Sequence, residues 1–224
     1  MFTAIILGAG SGTRMGLQKS KLLLEISSKT VIERSVAAFR ANKRVTQIIV
    51  AVRGCDVDEF SKILEPYDVT FVIGGATRQE SVKAAVSAVD NKCKYIAIHD
   101  GARPLVTAET IDRCFDTAIE MSACACGVPV KDTVKVVNKT GTIVDTPDRS
   151  TLVAIQTPQV FEKNLYLDAL DDAAAKGLDF TDDCQLVERI GAKVKCVDGD
   201  YGNIKITTPE DVPMALSILK SRGE

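Results

Sequence analysis

A glycine-rich stretch near the start of the chain holds the residues best suited to chemistry. The apolar run Phe2 to Leu7 leads straight into Gly8-Ala9-Gly10-Ser11-Gly12-Thr13-Arg14-Met15-Gly16. Glycines directly after a strand let backbone N–H groups come close to phosphate oxygens. Spacing tests the known phosphate-binding patterns. G-x-x-x-x-G-K-[ST] is missing, because no Gly-Lys pair occurs in this stretch. G-x-G-x-x-G also fails: after Gly8 and Gly10 the third position is Thr13, and after Gly10 and Gly12 it is Met15. A second apolar run ends at Val52-Arg53, with no acid to hold a ribose. A nicotinamide enzyme is therefore disfavoured. What remains is a glycine loop followed by Arg14, Lys19 and Lys21. That set suits a nucleoside triphosphate: amides hold the phosphates, and cations neutralise charge that builds on the reacting one. The bland reading is a surface loop with ordinary basic residues.

Asp100 stands at the carboxyl end of the apolar run Tyr95 to His99. A carboxylate there can hold Mg²⁺ against triphosphate oxygens; otherwise it is a turn or capping aspartate. His99 is the one histidine and reads as structural. Seven cysteines, an odd count, are scattered through mostly apolar segments and read as reduced thiols. Cys124 and Cys126 form a C-x-C pair, but no second pair follows, so four zinc ligands are lacking. The pair reads as two small core residues on one face of a strand.

These groups need a scaffold to bring them together. Phe2 to Leu7, Thr46 to Val52, Val69 to Ile73 and Tyr95 to Ile98 read as buried strands, with Ala123 to Val130 and Lys193 to Val197 as weaker cases. Between them, Thr30 and Glu33 predict a capping box, with Ile32, Val36 and Phe39 on one face. Ile111, Cys114, Phe115, Ala118 and Ile119 form a second stripe. A last helix is expected from Thr208-Pro209, burying Val212, Ala215, Leu216 and Leu219, with Pro213 distorting its first turns. This alternation predicts an α/β fold: one Rossmann-like domain over 1–224, a mostly parallel sheet with helices on both faces. Ligands then bind beyond the carboxyl ends of the strands. Lys131 to Thr146 breaks the pattern and reads as a hairpin around Asn138-Lys139-Thr140-Gly141, part of a protruding β-arm at about 131–152. Val134, Val136, Ile143 and Val144 need a cover, either a second subunit or the hairpin's own domain.

Composition narrows the classes. Of 224 residues, 46% are hydrophobic, ample for one large core. Net charge is −2, which leaves no basic excess for a nucleic-acid backbone. No apolar run approaches the roughly 20 residues that span a bilayer. Met1 to Gly8 has no basic region and no small-residue cleavage site, so no signal peptide is expected. The expectation is a cytoplasmic protein.

The ordered set of motifs resembles the 2-C-methyl-D-erythritol 4-phosphate cytidylyltransferase family of the non-mevalonate isoprenoid pathway. Gly8 to Met15 is similar to its A-A-G-x-G-x-R-M loop, with Gly8 where alanine is usual, and Ser20-Lys21 stands at its Pro-Lys. Gly74-Gly75-Ala76-Thr77-Arg78-Gln79-Glu80-Ser81-Val82 resembles G-G-x-x-R-x-x-S-V. His99-Asp100-Gly101-Ala102-Arg103-Pro104 resembles H-D-x-A-R-P. Asp132-Thr133, Asp148-Arg149, Thr157-Pro158-Gln159, Thr181-Asp182-Asp183 and Asn203-Ile204-Lys205 follow in family order.

The resemblance implies transfer of CMP from CTP to methylerythritol phosphate, with release of pyrophosphate and use of Mg²⁺. It implies Arg14 and Lys21 as catalytic cations at the α-phosphate. Gly8, Ala9, Gly10, Gly12, Gly75, Arg78, Ser81, Asp100 and Gly101 would bind CTP, with Asp100 also as metal ligand. Thr133, Arg149, Thr157 and Lys205 would bind the acceptor. It further implies a homodimer in which the arm reaches the neighbouring subunit's site. Two alternatives stand beside this: a cytidylyltransferase for another polyol phosphate such as ribitol 5-phosphate, and a nucleotide-binding regulatory protein without turnover.

Overall fold

The computed structural model describes residues 1–10 and 20–224; Gly12, Arg14 and Lys19 lie outside the described residues. Along the chain the elements are β1 (Phe2–Leu7), β2 (Glu25–Ile26), β3 (Lys29–Thr30), α1 (Val31–Arg40), β4 (Val45–Val52), α2 (Val57–Leu64), β5 (Thr70–Ile73) and α3 (Arg78–Val86). There follow β6 (Tyr95–Asp100), α4 (Ala108–Met121), β7 (Ala123–Pro129), β8 (Val136–Val137), β9 (Ile143–Asp145) and β10 (Val153–Glu162). The chain closes with α5 (Lys163–Lys176), α6 (Asp183–Arg189), β11 (Lys195–Asp198) and α7 (Asp211–Arg222).

Seven strands form one sheet in the order β11-β7-β10-β6-β1-β4-β5. Every neighbouring pair is parallel except the two made by β10. β1 lies inside the sheet, between β6 and β4, and every residue from Phe2 to Ile6 is fully or almost fully buried, so it is covered on both faces. Alternation along the strands divides the core. Ile5, Ile49, Ile96 and Ile98 pack under α3, α5 and α6, while Ile6, Ile48, Val50 and Val52 pack under α1, α2, α4 and α7. Each such side chain contributes roughly 1.5–3 kcal/mol on burial. Cys124 and Cys126 lie on one face of β7, buried in the second of these layers, as their spacing predicts.

Register places the site. Leu7 pairs with Asp100 on one side and Ala51 on the other, and Val52 pairs with Ile73. The glycine loop, Asp100 and the Gly74 loop therefore leave the sheet at the same edge. From β1 the chain builds outward through β4 and β5, then returns to place β6 on the other side. The crevice between β1 and β6 is the switch point where ligands bind such sheets.

Some local expectations change. The Thr30 hydroxyl accepts from the Glu33 amide, but the Glu33 carboxylate accepts from the Tyr67 hydroxyl, so only half of a capping box forms there. The complete box is at Thr77 and Glu80. Ile119 is 52% exposed, at the edge of the α4 stripe, and Leu216 is 42% exposed because α7 turns Ile218 inward beside Ala215 and Leu219. Pro213 is the third residue of α7, where a missing N–H costs no helix bond.

β10 is the strand that the apolar pattern does not reveal. Its middle, Gln156-Thr157-Pro158-Gln159, is polar and carries a proline. In the structure Pro158 falls in the break between Ile155 and Gln159 in the pairing with β7, a position that tolerates proline in a sheet. The hairpin does form: β8 pairs with β9, and Gly141 takes φ +81 at the turn. Val136, Val137, Ile143 and Val144 are exposed, so the arm does not lie on its own sheet.

Candidate active site

A cavity of about 400 Å³ opens at the carboxyl edge of β1 and β6. Ala9, Gly10 and Lys21 line one wall, Gly75, Ala76, Thr77 and Arg78 another, and Asp100 and Lys205 lie at its base. Lys21 begins a tight turn, Lys21–Leu23, that Ser20 caps by accepting from the Leu22 amide. Ser20 has φ −58, the value proline would impose, so serine here reproduces that backbone and adds a cap.

The Gly74–Thr77 wall is held at both ends. The Glu80 carboxylate accepts from the Ala76 amide at 2.7 Å and from the Thr77 amide at 3.2 Å. The Ser81 hydroxyl accepts from the Gly75 amide at 3.1 Å and donates to the Thr77 carbonyl at 3.0 Å. A side chain at Gly74 would meet the Ala9 and Ser81 side chains at 2.5 and 2.8 Å, so the wall needs glycine to lie this close.

Asp100 is the electrostatic centre. Lys205 Nζ is 2.8 Å from Oδ2, Arg103 Nε is 3.6 Å from the same oxygen, and Arg78 Nε is 4.0 Å from Oδ1. Burial pushes the carboxyl pKa up, but Lys205, Arg78 and Arg103 outweigh it and hold it down at about 2. A strand end thus presents a permanent anion ringed by cations.

A chain of bonds fixes Asp100 from behind. His99 Nε2 lies 3.1 Å from the Arg103 carbonyl, which can only accept, so Nε2 carries the proton. In the neutral ring Nδ1 then accepts from the Thr157 hydroxyl at 3.0 Å. That hydroxyl in turn accepts from the Asp100 amide at 3.0 Å.

Residues 2–221 match the family described as IspD, 2-C-methyl-D-erythritol 4-phosphate cytidylyltransferase. The chain belongs to this family. A curated 2-C-methyl-D-erythritol 4-phosphate cytidylyltransferase of Caldanaerobacter subterraneus subsp. tengcongensis is 46% identical, covering 97% of this chain and 98% of its own. One of Bacillus cereus is 43% identical, covering 98% of each. The crystal structure of 4-diphosphocytidyl-2C-methyl-D-erythritol synthase from Anaerococcus prevotii superposes with TM-score 0.88 at 34% identity, covering 98% of this chain and 96% of that one. The Thermus thermophilus cytidylyltransferase gives TM-score 0.82 at 28% identity, with 98% and 100% covered.

In this cytidylyltransferase-family chain the sequence-derived residues are not all brought together. Ala9, Gly10, Lys21, Gly75, Arg78, Ser81, Asp100 and Lys205 share the cavity. Gly12 and Arg14 lie outside the described residues. Gly8 and Gly101 sit behind its wall: their amides donate to the Ala51 and Leu7 carbonyls. Thr157 is buried beneath Asp100, its hydroxyl engaged as described, so the structure gives it a bracing task. Thr133 is exposed on the arm. Arg149 lines a second cavity of about 600 Å³ with Pro129, Val130, Lys131, Asp148 and Ser150, which shares no residue with the first. Thr77 and Thr207 line the first cavity and carry no signal of their own in the sequence beyond the capping position of Thr77.

Among the described residues no cluster of three or more acidic, histidine or cysteine side chains is placed to hold a metal, and the one carboxylate of the cavity, Asp100, is paired through Oδ2 with Lys205. Asp100 offers one ionised carboxylate, and Mg²⁺ is commonly bound by one or two carboxylates together with substrate phosphates and water.

The one histidine supplies a clean measurement. Burial pushes His99 down to about 4 from 6.5, against weaker upward pulls from the Arg103 carbonyl and Asp100. Its proton therefore favours the unfolded chain. This contribution to stability is complete above pH 6.5 and is lost as pH falls from 6.5 to about 4, about 3 kcal/mol in all. Imidazole NMR of the ligand-free chain in chelator should report the neutral Nε2–H tautomer down to that range. A ring that titrates near its ordinary value would contradict this account.

Proposed function

We propose that this chain transfers CMP from CTP to 2-C-methyl-D-erythritol 4-phosphate, giving 4-diphosphocytidyl-2-C-methyl-D-erythritol and pyrophosphate. The observation that carries the reading is the cavity itself. A glycine wall, Lys21, Arg78 and Lys205 converge with one ionised carboxylate at the switch point, in a chain of this family.

An oxygen of the acceptor phosphate attacks the α-phosphorus of CTP. The new bond is phosphorus–oxygen, the bond to the β-phosphate bridge breaks, and pyrophosphate leaves with the electron pair. A phosphate monoester with second pKa about 6 is already mostly ionised at neutral pH, so no general base is required. Rate then comes from placing two anions in line and from stabilising charge on the α-phosphate. Arg14 and Lys21 would supply that stabilisation. Gly10, Gly75 and Arg78 would hold the nucleotide. Mg²⁺ held by Asp100 would neutralise triphosphate charge. Lys205 would grip the acceptor phosphate, with Thr133 and Arg149 reaching it from a partner subunit.

Two features support a homodimer. The exposed arm carries Val136, Val137, Ile143 and Val144 without cover, and Arg149 lines a cavity separate from that of Lys21. The chain would then act as one nucleotidyltransferase domain over 1–224 with two composite sites, in the cytoplasm. Among the described residues no helix is long and apolar enough to cross a membrane.

The test is pyrophosphate release with CTP and Mg²⁺, comparing methylerythritol 4-phosphate with ribitol 5-phosphate at equal concentration. A clear preference for the first is expected. A preference for ribitol phosphate would keep the CTP site and overturn the acceptor. Release with neither, despite CTP binding, would leave a protein that binds without this catalysis.

A further inference from the structure

Arg78 is the first residue of α3 and points into the cavity between two carboxylates. Its Nη2 is 2.6 Å from Asp183 Oδ2, while its Nε is 4.0 Å from Asp100 Oδ1. Asp183 is 3% exposed, and a buried carboxylate is costly unless its oxygens are matched. The other oxygen, Oδ1, accepts from the Tyr166 hydroxyl at 2.5 Å, and Tyr166 is wholly buried against Phe161. The Asp183 amide donates to Gln159 Oε1 on β10 at 3.1 Å. Gln79, next to Arg78, clamps the approach to Asp183: its Nε2 donates to the Leu178 carbonyl and its Oε1 accepts from the Phe180 amide, both at 3.0 Å. Four elements thus converge to place one carboxylate against one guanidinium.

We infer that Asp183 and Tyr166 are positioning residues that keep Arg78 from closing on Asp100 beyond the 4.0 Å at which it stands. Arg78 has two possible anions within reach. Asp183 takes the short pairing, which leaves Asp100 to Lys205 and to the nucleotide side of the cavity. Without the Asp183 charge, Arg78 would close on Asp100, losing its place in the wall and blocking that carboxylate. The inference rests on the reading of this cavity as the CTP site, and it assigns function to a helix-start aspartate that does not itself line the cavity and meets it through Arg78.

The experiment is a double-mutant cycle on the full chain with Asp183→Asn, Arg78→Gln and the double variant. CTP affinity with Mg²⁺ is read by calorimetry, and KM and kcat are read for both substrates. Asp183→Asn should weaken CTP about tenfold and leave the acceptor KM unchanged. In the Arg78→Gln background the same change should have almost no further effect, because its target is gone. Additive losses, or an Asp183→Asn variant that binds CTP as wild type does, would overturn the inference. If Asp183→Asn does not fold, Tyr166→Phe carries the test, with a smaller loss that must also vanish in the Arg78→Gln background. A readout without substrate separates this from the proposed reaction. In the ligand-free chain the Arg78 Nη2 protons, which face Asp183, should exchange slowly by NMR and lose that protection in Asp183→Asn. Protection retained in that variant counts against the positioning role, whatever the acceptor proves to be. Protection lost, together with no turnover of methylerythritol phosphate, sinks the acceptor and leaves the positioning role standing.

Discussion

Lys21→Ala is expected to lower kcat by about 10²–10³-fold, the usual effect of deleting one preorganised donor to a transition-state oxyanion. Thermal stability should stay close to wild type. Lys21 is half-buried at the cavity wall, whereas its neighbour Leu22 enters the core and Ser20 caps the turn. The substitution leaves Leu22 and the cap in place, so the folded framework keeps what holds it. The measurements are steady-state pyrophosphate release and a melting curve on the same preparation. CTP affinity should change far less than kcat, since the interaction is strongest when charge builds on the α-phosphate. Equal losses of turnover and stability, or a loss confined to CTP binding, would remove Lys21 from the catalytic step.

Lys21 is legible in the sequence because its surroundings are local. A β-branched strand, a glycine loop and cations follow one another within the first residues. Asp100 is legible for the same reason, at the end of an apolar run. β10 is not. Its inward positions are Gln156, Thr157 and Gln159, and these are satisfied by Asp200, His99 and Asp183 from distant segments. A hydrophobic pattern cannot reveal a strand whose buried middle is polar and whose partners are remote. Asp183 shows the same limit: its first-turn position explains a charge near a helix start, but not the choice of Arg78 and Tyr166. The motifs of Ser81 and Thr157 point to the neighbourhood of the site. Their hydroxyls are engaged in fixing Gly75 and Asp100, through partners that no local pattern announces.

Arg149→Ala should raise the acceptor KM by about 10-fold or more, the scale of a lost charge-assisted contact, and leave CTP affinity near normal. Arg149 starts the turn Arg149–Thr151 at the root of the arm, where Asp148 caps the Ser150 amide. Its Nη1 donates to the Lys131 carbonyl at 2.8 Å, tying the two limbs of the arm together. Tyr201 steadies the same root, with Lys131 Nζ 3.7 Å from its ring centre and its hydroxyl on the Pro129 carbonyl. The guanidinium is therefore held at a fixed place, yet in a different cavity from Lys21. That separation yields a stronger test than either variant alone. With acceptor well below its KM, chains carrying Arg149→Ala and chains carrying Lys21→Ala are each strongly impaired by themselves. In a heterodimer with arms crossing, one of the two sites combines an intact Lys21 from the first chain with an intact Arg149 from the second, so activity returns. If each chain completes its own site, every site in that heterodimer is defective and no activity returns. Isolated heterodimers, verified by two affinity tags, decide between these geometries, and silence from them would place the acceptor site within a single chain.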